Sequence, residues 1–293
     1  MFRGMPKWLL SFSFRYLLAP SCFVALIPAL HAQSNEADLK ARLMGKPLYL
    51  RGYWRDENLR FDSAGKLKTN SSQVTFTLSG FELLALHLKQ DKLLLEGRRV
   101  GLELGGGKQR RVPLNAGKPN DPVDDTMKIE IASSPSGDYG PALDAIFAEG
   151  LAELVPSMPS YWKTYATKNF APADTTAVPA TSTASDPVQQ SSGSPDTKPK
   201  RIGGAVKPPK LLHSKEPEFN EPARGLKYSG VVLINLWVYP DGTVSHLSLV
   251  RALGLGLDER ALAAVQKYVF SPATMNDKPV LVELNVEVNF QIF

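Results

Sequence analysis

The chain holds one cysteine, Cys22, in 293 residues. Cys22 lies inside the apolar N-terminal stretch, so a chain that loses that stretch has no thiol, no disulfide framework and no thiolate metal site. Histidine is scarce too. His31, His87, His213 and His246 are scattered, and none has a partner at metal-ligand spacing such as H-E-x-x-H, so no metal site is expected. Concentrated charge is missing as well. The net charge is +5, and Arg98, Arg99, Arg110 and Arg111 are interleaved with Leu, Val and Glu. Nucleic-acid binding needs a concentrated basic face, so nucleic acid is not expected as a partner.

Phosphate cradles fail on inspection. "GGGK" at Gly105–Lys108 is followed by Gln109 where a P-loop needs Ser or Thr, and it reads as a hairpin tip. "LGLGLDE" has Gly254 and Gly256 but Glu259 where a dinucleotide fingerprint needs its third glycine, and that carboxylate would repel a pyrophosphate. No Ser–His–acid set is apparent, and the paired acids Asp124–Asp125 sit in a turn-like "NDPVDD". The expectation is no cofactor and no enzyme.

What the sequence does contain begins with a targeting segment. Arg3, Lys7 and Arg15 precede an uncharged apolar run from Tyr16 to Leu30 and the small-residue "ALHA". That is the layout of a secretory signal, with cleavage expected after Ala32 and a mature chain in the periplasm. The alternative, an uncleaved inner-membrane anchor, needs about 20 apolar residues and is interrupted here by Pro20 and Pro28.

Residues 33–170 read as a separate β-rich domain of unknown function. "KPLYLRGYW", "ELLALHLKQ", "DKLLLEGRRVGLELGGGKQRRVPL" and "TMKIEIASS" alternate or run apolar for strand lengths between turn residues. A closing helix is expected over "GPALDAIFAEGLAELV", where Leu143, Ile146, Phe147, Gly150, Leu151 and Leu154 recur at helical spacing. Residues 171–210 are rich in Pro, Ser, Thr and Ala and poor in bulky apolar side chains, so they read as a linker acting as a tether.

Residues 211–293 form the second block. "GVVLINLWVYPDGTVSHLSLVRAL" reads as a hairpin turned by "PDG". Asp258 is expected to N-cap a helix whose apolar stripe is Leu257, Ala261, Leu262, Val265, Tyr268 and Val269. In "PVLVELNVEVNFQIF", Val280, Val282, Leu284, Val286, Val288, Phe290 and Ile292 share one face. Leu281, Glu283, Asn285, Glu287, Asn289 and Gln291 share the other.

In order and spacing, the short helix after "EPEF", the strand–DG–strand hairpin, "GLD" opening a helix, "YVFSPA" and the "KPV" strand resemble the TonB C-terminal domain over roughly the last ninety residues. The resemblance implies an α+β domain of two helices on a three-stranded antiparallel sheet, in an energy-transducing envelope protein of a Gram-negative bacterium. It implies docking on outer-membrane TonB-dependent receptors that import iron chelates or cobalamin, the receptor's N-terminal peptide adding as a strand beside the last strand. The candidate partner-binding residues are then Leu281, Glu283, Asn285, Glu287, Asn289 and Gln291, with Phe219 and Asn220 standing where the family has Tyr-Pro. The family's coupling to the ExbB–ExbD motor uses a Ser-x-x-x-His pattern in the anchor, a spacing that Ser21 and His31 do not have. Two alternatives stay open: a non-transducing envelope adaptor or scaffold whose β-rich domain binds a ligand or partner, and assembly as a homodimer.

Overall fold

The computed structural model describes residues 35–52, 54, 56–69, 78–114, 126–170 and 198–292. The targeting segment, Asp124–Asp125 and residues 171–197 of the linker lie outside them. The first block runs α1 (Glu36–Leu43), β1 (Leu48–Leu50), β2 (Asn58–Phe61), β3 (Ser79–Leu88), β4 (Lys92–Glu103), β5 (Arg110–Pro113), β6 (Thr126–Ala132), α2 (Gly140–Ile146), β7 (Phe147–Ala148) and α3 (Ser160–Asn169). Next come β8 (Lys200–Arg201), β9 (Val206–Lys207), β10 (Lys210–His213), α4 (Glu221–Gly225), β11 (Gly230–Val238) and β12 (Val244–Arg251). The chain then continues through α5 (Leu257–Val265), β13 (Val269–Ser271), β14 (Ala273–Met275), β15 (Lys278–Val280) and β16 (Val282–Phe290).

The alternating stretches of the first block pair into one sheet in the order β2-β6-β4-β3-β1-β7, with β5 returning on β4 through a 3-10 turn at Gly105–Gly107. Period-two geometry sends Phe81, Leu93, Leu95, Ile129 and Ile131 to one face, where they pack with Leu39 and Leu43 of α1 and Leu143 and Ile146 of α2. The opposite face carries the cross-strand ion pairs Glu82–Arg98, Glu96–Lys128 and Lys92–Glu130. Much of the dispersed charge is therefore spent on solvated neighbours within the sheet.

The expected closing helix stops at Ile146. Phe147 and Ala148 leave it to pair with Leu50 and Tyr49 of β1. Arg51 fixes the exit: its Nε donates to the carbonyls of Asp144 (2.7 Å) and Phe147 (3.0 Å), which removes any need for a further helical turn. Residues Leu151–Ser157 then form a 3-10 segment containing Pro156, and α3 follows. Leu143, Ile146, Phe147, Leu151 and Leu154 are all buried. The apolar period marked burial correctly and backbone geometry wrongly, because strand pairing overrode local preference.

In the second block β12, β11 and β16 form an antiparallel ladder, and β8 joins β16 in parallel as a fourth short strand. Helix α5 packs on β11 and β12 through small residues such as Ala261 and Ala264, over fully buried Val232, Ile234, Leu236 and Val238. The reading of 171–210 as linker does not hold from Lys200 onward. There β8 pairs with β16, β9 with β14 and β10 with β13, and Val206 is buried. Few apolar groups are needed, since each short strand finds backbone partners already exposed on an edge.

The two blocks are also not separate. Residues Gln33–Phe293 make one compact unit. Leu102, Leu104, Leu154, Trp162 and Tyr165 of the first block share a single apolar core with Leu253, Leu255, Leu257 and Val265 of the second. The glycine stretch is where they meet. Leu104 N donates to the Leu253 carbonyl (2.7 Å) and Leu255 N to the Leu102 carbonyl (2.9 Å), a short antiparallel bridge centred on Glu103 and Gly254. Gly254 has φ +85°, and a Cβ there would stand 1.9 Å from the Leu102 oxygen. Close backbone approach, not a phosphate, is what this glycine serves.

Asp258 does not cap α5. Gly256 occupies that position with φ 74°, and Asp258, in the first turn, reaches back to accept from Leu253 N (2.8 Å) and Gly254 N (2.7 Å). Its neighbour Glu259 accepts from the buried Trp162 Nε1 across the block boundary (3.1 Å), while its other carboxylate oxygen is buried without a partner. Burial raises both carboxyl pKa values, and for Glu259 the nearby Asp258 charge adds to the effect. Two backbone N–H groups and the positive helix end favour the charged form of Asp258. Both carboxyls are nonetheless harder to ionise here than in water.

Two outcomes are expected. Gly254→Ala forces both a left-handed alanine and a collision with Leu102, and should cost about 2 kcal/mol or more in urea unfolding. Native Glu259 keeps a proton that the unfolded chain releases above its ordinary value of 4.5, so stability falls as pH rises from there. Glu259→Gln should flatten that decline between about pH 5 and pH 8 when melting is followed by circular dichroism.

Candidate docking edge

The C-terminal sheet has two borders with different fates. Along β12, helix α3 of the first block packs closely beside the strand. Along β16, β8 covers only the first step, with Val282 opposite Lys200 and Glu283 opposite Arg201. Among the described residues, no strand pairs with β16 beyond Glu283 on this side.

The direction of each backbone group follows from one hydrogen bond. Lys200 N donates to the Leu281 carbonyl (2.9 Å), so the odd-numbered positions point their N–H and C=O groups outward. The even-numbered positions pair with β11, Val288 facing Val232 and Val286 facing Ile234. Leu281 and Glu283 are thus engaged by β8, and Asn285, Glu287 and Asn289 present the open backbone.

Side chains around this edge fall into ordered rows. On the outer face, Arg251 Nη2 reaches across Leu233 to Glu287 (3.1 Å), and Asn235 Nδ2 donates to Asn285 Oδ1 (2.9 Å). Trp237 lies beside Glu283, its ring stacked on His246 at 3.9 Å between centroids. On the inner face Val282, Val288 and Phe290 are buried, whereas Leu284 and Val286 between them are only half-buried. The inner face is therefore least covered next to the open backbone.

Of the residues proposed from sequence, Glu283, Asn285, Glu287 and Asn289 lie together on β16, exposed on its outer face. Leu281 is buried at the junction of β15 and β16, where the alternation begins one residue later than the sequence pattern implies. Gln291 is exposed beyond the strand. Phe219 packs edge-on against Phe290 (5.2 Å), bracing the far end of the edge from inside. Asn220 caps α4, accepting from Ala223 N (3.0 Å), and its amide nitrogen donates to the Leu255 carbonyl. The sequence reading missed β8 and the half-exposure of Leu284 and Val286. Nothing in a strict alternation distinguishes a covered inner position from an uncovered one.

Among the described residues no group of three or more His, Cys, Asp or Glu side chains is placed to hold a metal ion, and no helix is long and apolar enough to cross a membrane. For Asn220, whose amide links α4 to the loop before α5, Asn220→Ala is expected to lower stability by about 1 kcal/mol in chemical denaturation.

The comparisons with known proteins concern this same part of the chain. Residues 215–292 match the family model described as Gram-negative bacterial TonB protein C-terminal. A solved relative is the solution NMR structure of the Pseudomonas aeruginosa TonB C-terminal domain. It is 18% identical, covers 32% of this chain and 93% of that one, and has a TM-score of 0.25. No curated protein matches the chain. Residues 215–292, which hold the hairpin, the "GLD" helix and the long final strand, are thus a TonB C-terminal family segment of this chain.

Proposed function

We propose that this chain is a TonB-like, non-enzymatic envelope protein. In this reading its C-terminal domain docks on the N-terminal segment of an outer-membrane TonB-dependent receptor by strand addition, in support of energy-coupled uptake of iron chelates or cobalamin. The family of residues 215–292 supports the envelope and transport setting. The observation that carries the docking mode is the backbone of Asn285, Glu287 and Asn289 on β16, unpaired on its outer side among the described residues and beside half-buried Leu284 and Val286. Each backbone hydrogen bond gained there contributes about 0.5–1.5 kcal/mol net, so a short extended segment accumulates useful affinity while its side chains set selectivity.

The shared core favours a second reading, a non-transducing adaptor. Residues 171–197 join α3 to β8, and both belong to the same compact unit. The elements on either side of that segment in sequence therefore belong to one body, not two. A transducer's reach has to come from elsewhere, and coupling to an ExbB–ExbD motor has no support in the Ser21 and His31 spacing.

Proline at an outward-facing edge position removes a donor and blocks a neighbour without touching the β11 ladder. Glu287→Pro should therefore abolish capture of receptor N-terminal peptides by the full-length chain while leaving its circular dichroism spectrum unchanged. Undiminished capture by this variant would place docking elsewhere. Normal receptor-dependent uptake in cells lacking the protein, with capture intact, would favour the adaptor.

A further inference from the structure

We infer that the segment accepted by β16 is one whose side chains alternate apolar and basic, read over the interval Leu284–Asn289. This selectivity rests on the strand-addition reading above and specifies its partner. Both ends of the interval are set by this chain. At one end β8 occupies the Val282–Glu283 step, so a visitor either begins after it or must displace it. At the other, Phe219 packs on Phe290 and holds the inner face closed.

The inner face supplies the apolar half of the pattern. Residues directly opposite in adjacent strands point to the same face. A visitor's side chains opposite Leu284 and Val286 would cover the two positions of β16 whose apolar groups are only half-buried, extending the shared core by one strand. Apolar groups two residues apart fit there. Polar ones would be desolvated against Leu284 and Val286 with no hydrogen-bonding side chain on β16 to receive them.

The outer face supplies the basic half. From Val282 to Phe290 the strand carries two acids, Glu283 and Glu287, two amides, Asn285 and Asn289, and no base. The chain's own short strand already shows the arrangement, because β8 places Arg201 opposite Glu283. Glu287 has one oxygen on Arg251, an exposed contact from across the sheet, and its carboxylate stands beside the open backbone. A lysine or arginine opposite Glu287 would repeat the Arg201–Glu283 row two residues further along. An acid there would meet a like charge.

The test uses the full-length chain in detergent and two labelled peptides that read the same in either direction, so that strand polarity does not matter. One alternates valine with lysine and ends in threonine; the other has glutamate in place of each lysine. The lysine peptide should bind about five- to tenfold more tightly at low salt, with the preference shrinking as salt rises, since exposed ion pairs are weak and screened. Glu287→Lys, an exposed change that keeps the fold, should invert the preference. Val286→Ser should weaken both peptides. If both bind equally and both are lost with Glu287→Pro, the charge selectivity is overturned while strand addition stands. If neither binds at millimolar peptide, both fall together.

Discussion

The contact between the Leu102 carbonyl and the backbone around Gly254 is the constraint on which the rest of this molecule depends. A backbone-to-backbone approach of this kind is possible only where a side chain is missing and the chain takes a left-handed turn, and Gly254 satisfies both conditions. The loop is held in position by Asp258, whose carboxylate takes the N–H groups of Leu253 and Gly254 from inside the first turn of α5. Buried carboxylates are costly unless hydrogen-bonded, so this grip stabilises one loop conformation and disfavours any in which the two N–H groups turn away. With the loop fixed, Leu253 and Leu255 of the second block and Trp162 and Tyr165 of the first lie in one shared core.

That arrangement decides which edge of the C-terminal sheet is available. An open sheet has two borders, and each is a template for unwanted pairing. Because the first block is locked against α5, its helix α3 lies beside β12 and crowds that border. The other is closed for one step by β8 and left open from Asn285. Polar or charged side chains at Asn285, Glu287 and Asn289 keep this open run soluble, and they sit at the positions whose backbone faces outward. The same residues thus discourage indiscriminate pairing and, under the strand-addition proposal, would bias selective pairing by charge.

Much of this was legible in the residues. The strict alternation from Val282 to Phe290 announced a strand with one buried face, and the "PDG" hairpin stands where the periodicity places it. The helix after "GLD" starts as expected but ends at Val265, so Tyr268 lies beyond it and Val269 is exposed in β13. What escaped was everything set by distant neighbours. Phe147 has the spacing of a helix residue, yet Leu50 and Arg51 draw it into a strand. Asp258 has the chemistry of a cap, but the N–H groups it satisfies lie in the loop before the helix, because Leu102 holds that loop within reach. "KPKRIGG" has the composition of a linker and becomes a strand because β16 offers it an edge. In each case local preference was weak and a long-range backbone partner was strong.

The loss of a spacer between the blocks has a mechanical consequence. A transducer that pulls must connect its docking strand to a remote anchor through a chain that can carry load. Here the route from the docking edge back along the chain runs through β8, which lies against β16 itself, and then through residues 171–197 to α3, which lies against β12. Two residues of parallel pairing resist little compared with the nine-position ladder between β11 and β16, so tension on that segment would strip β8 before it disturbed the sheet. Stripping β8 would free Glu283 and lengthen the open edge by one step.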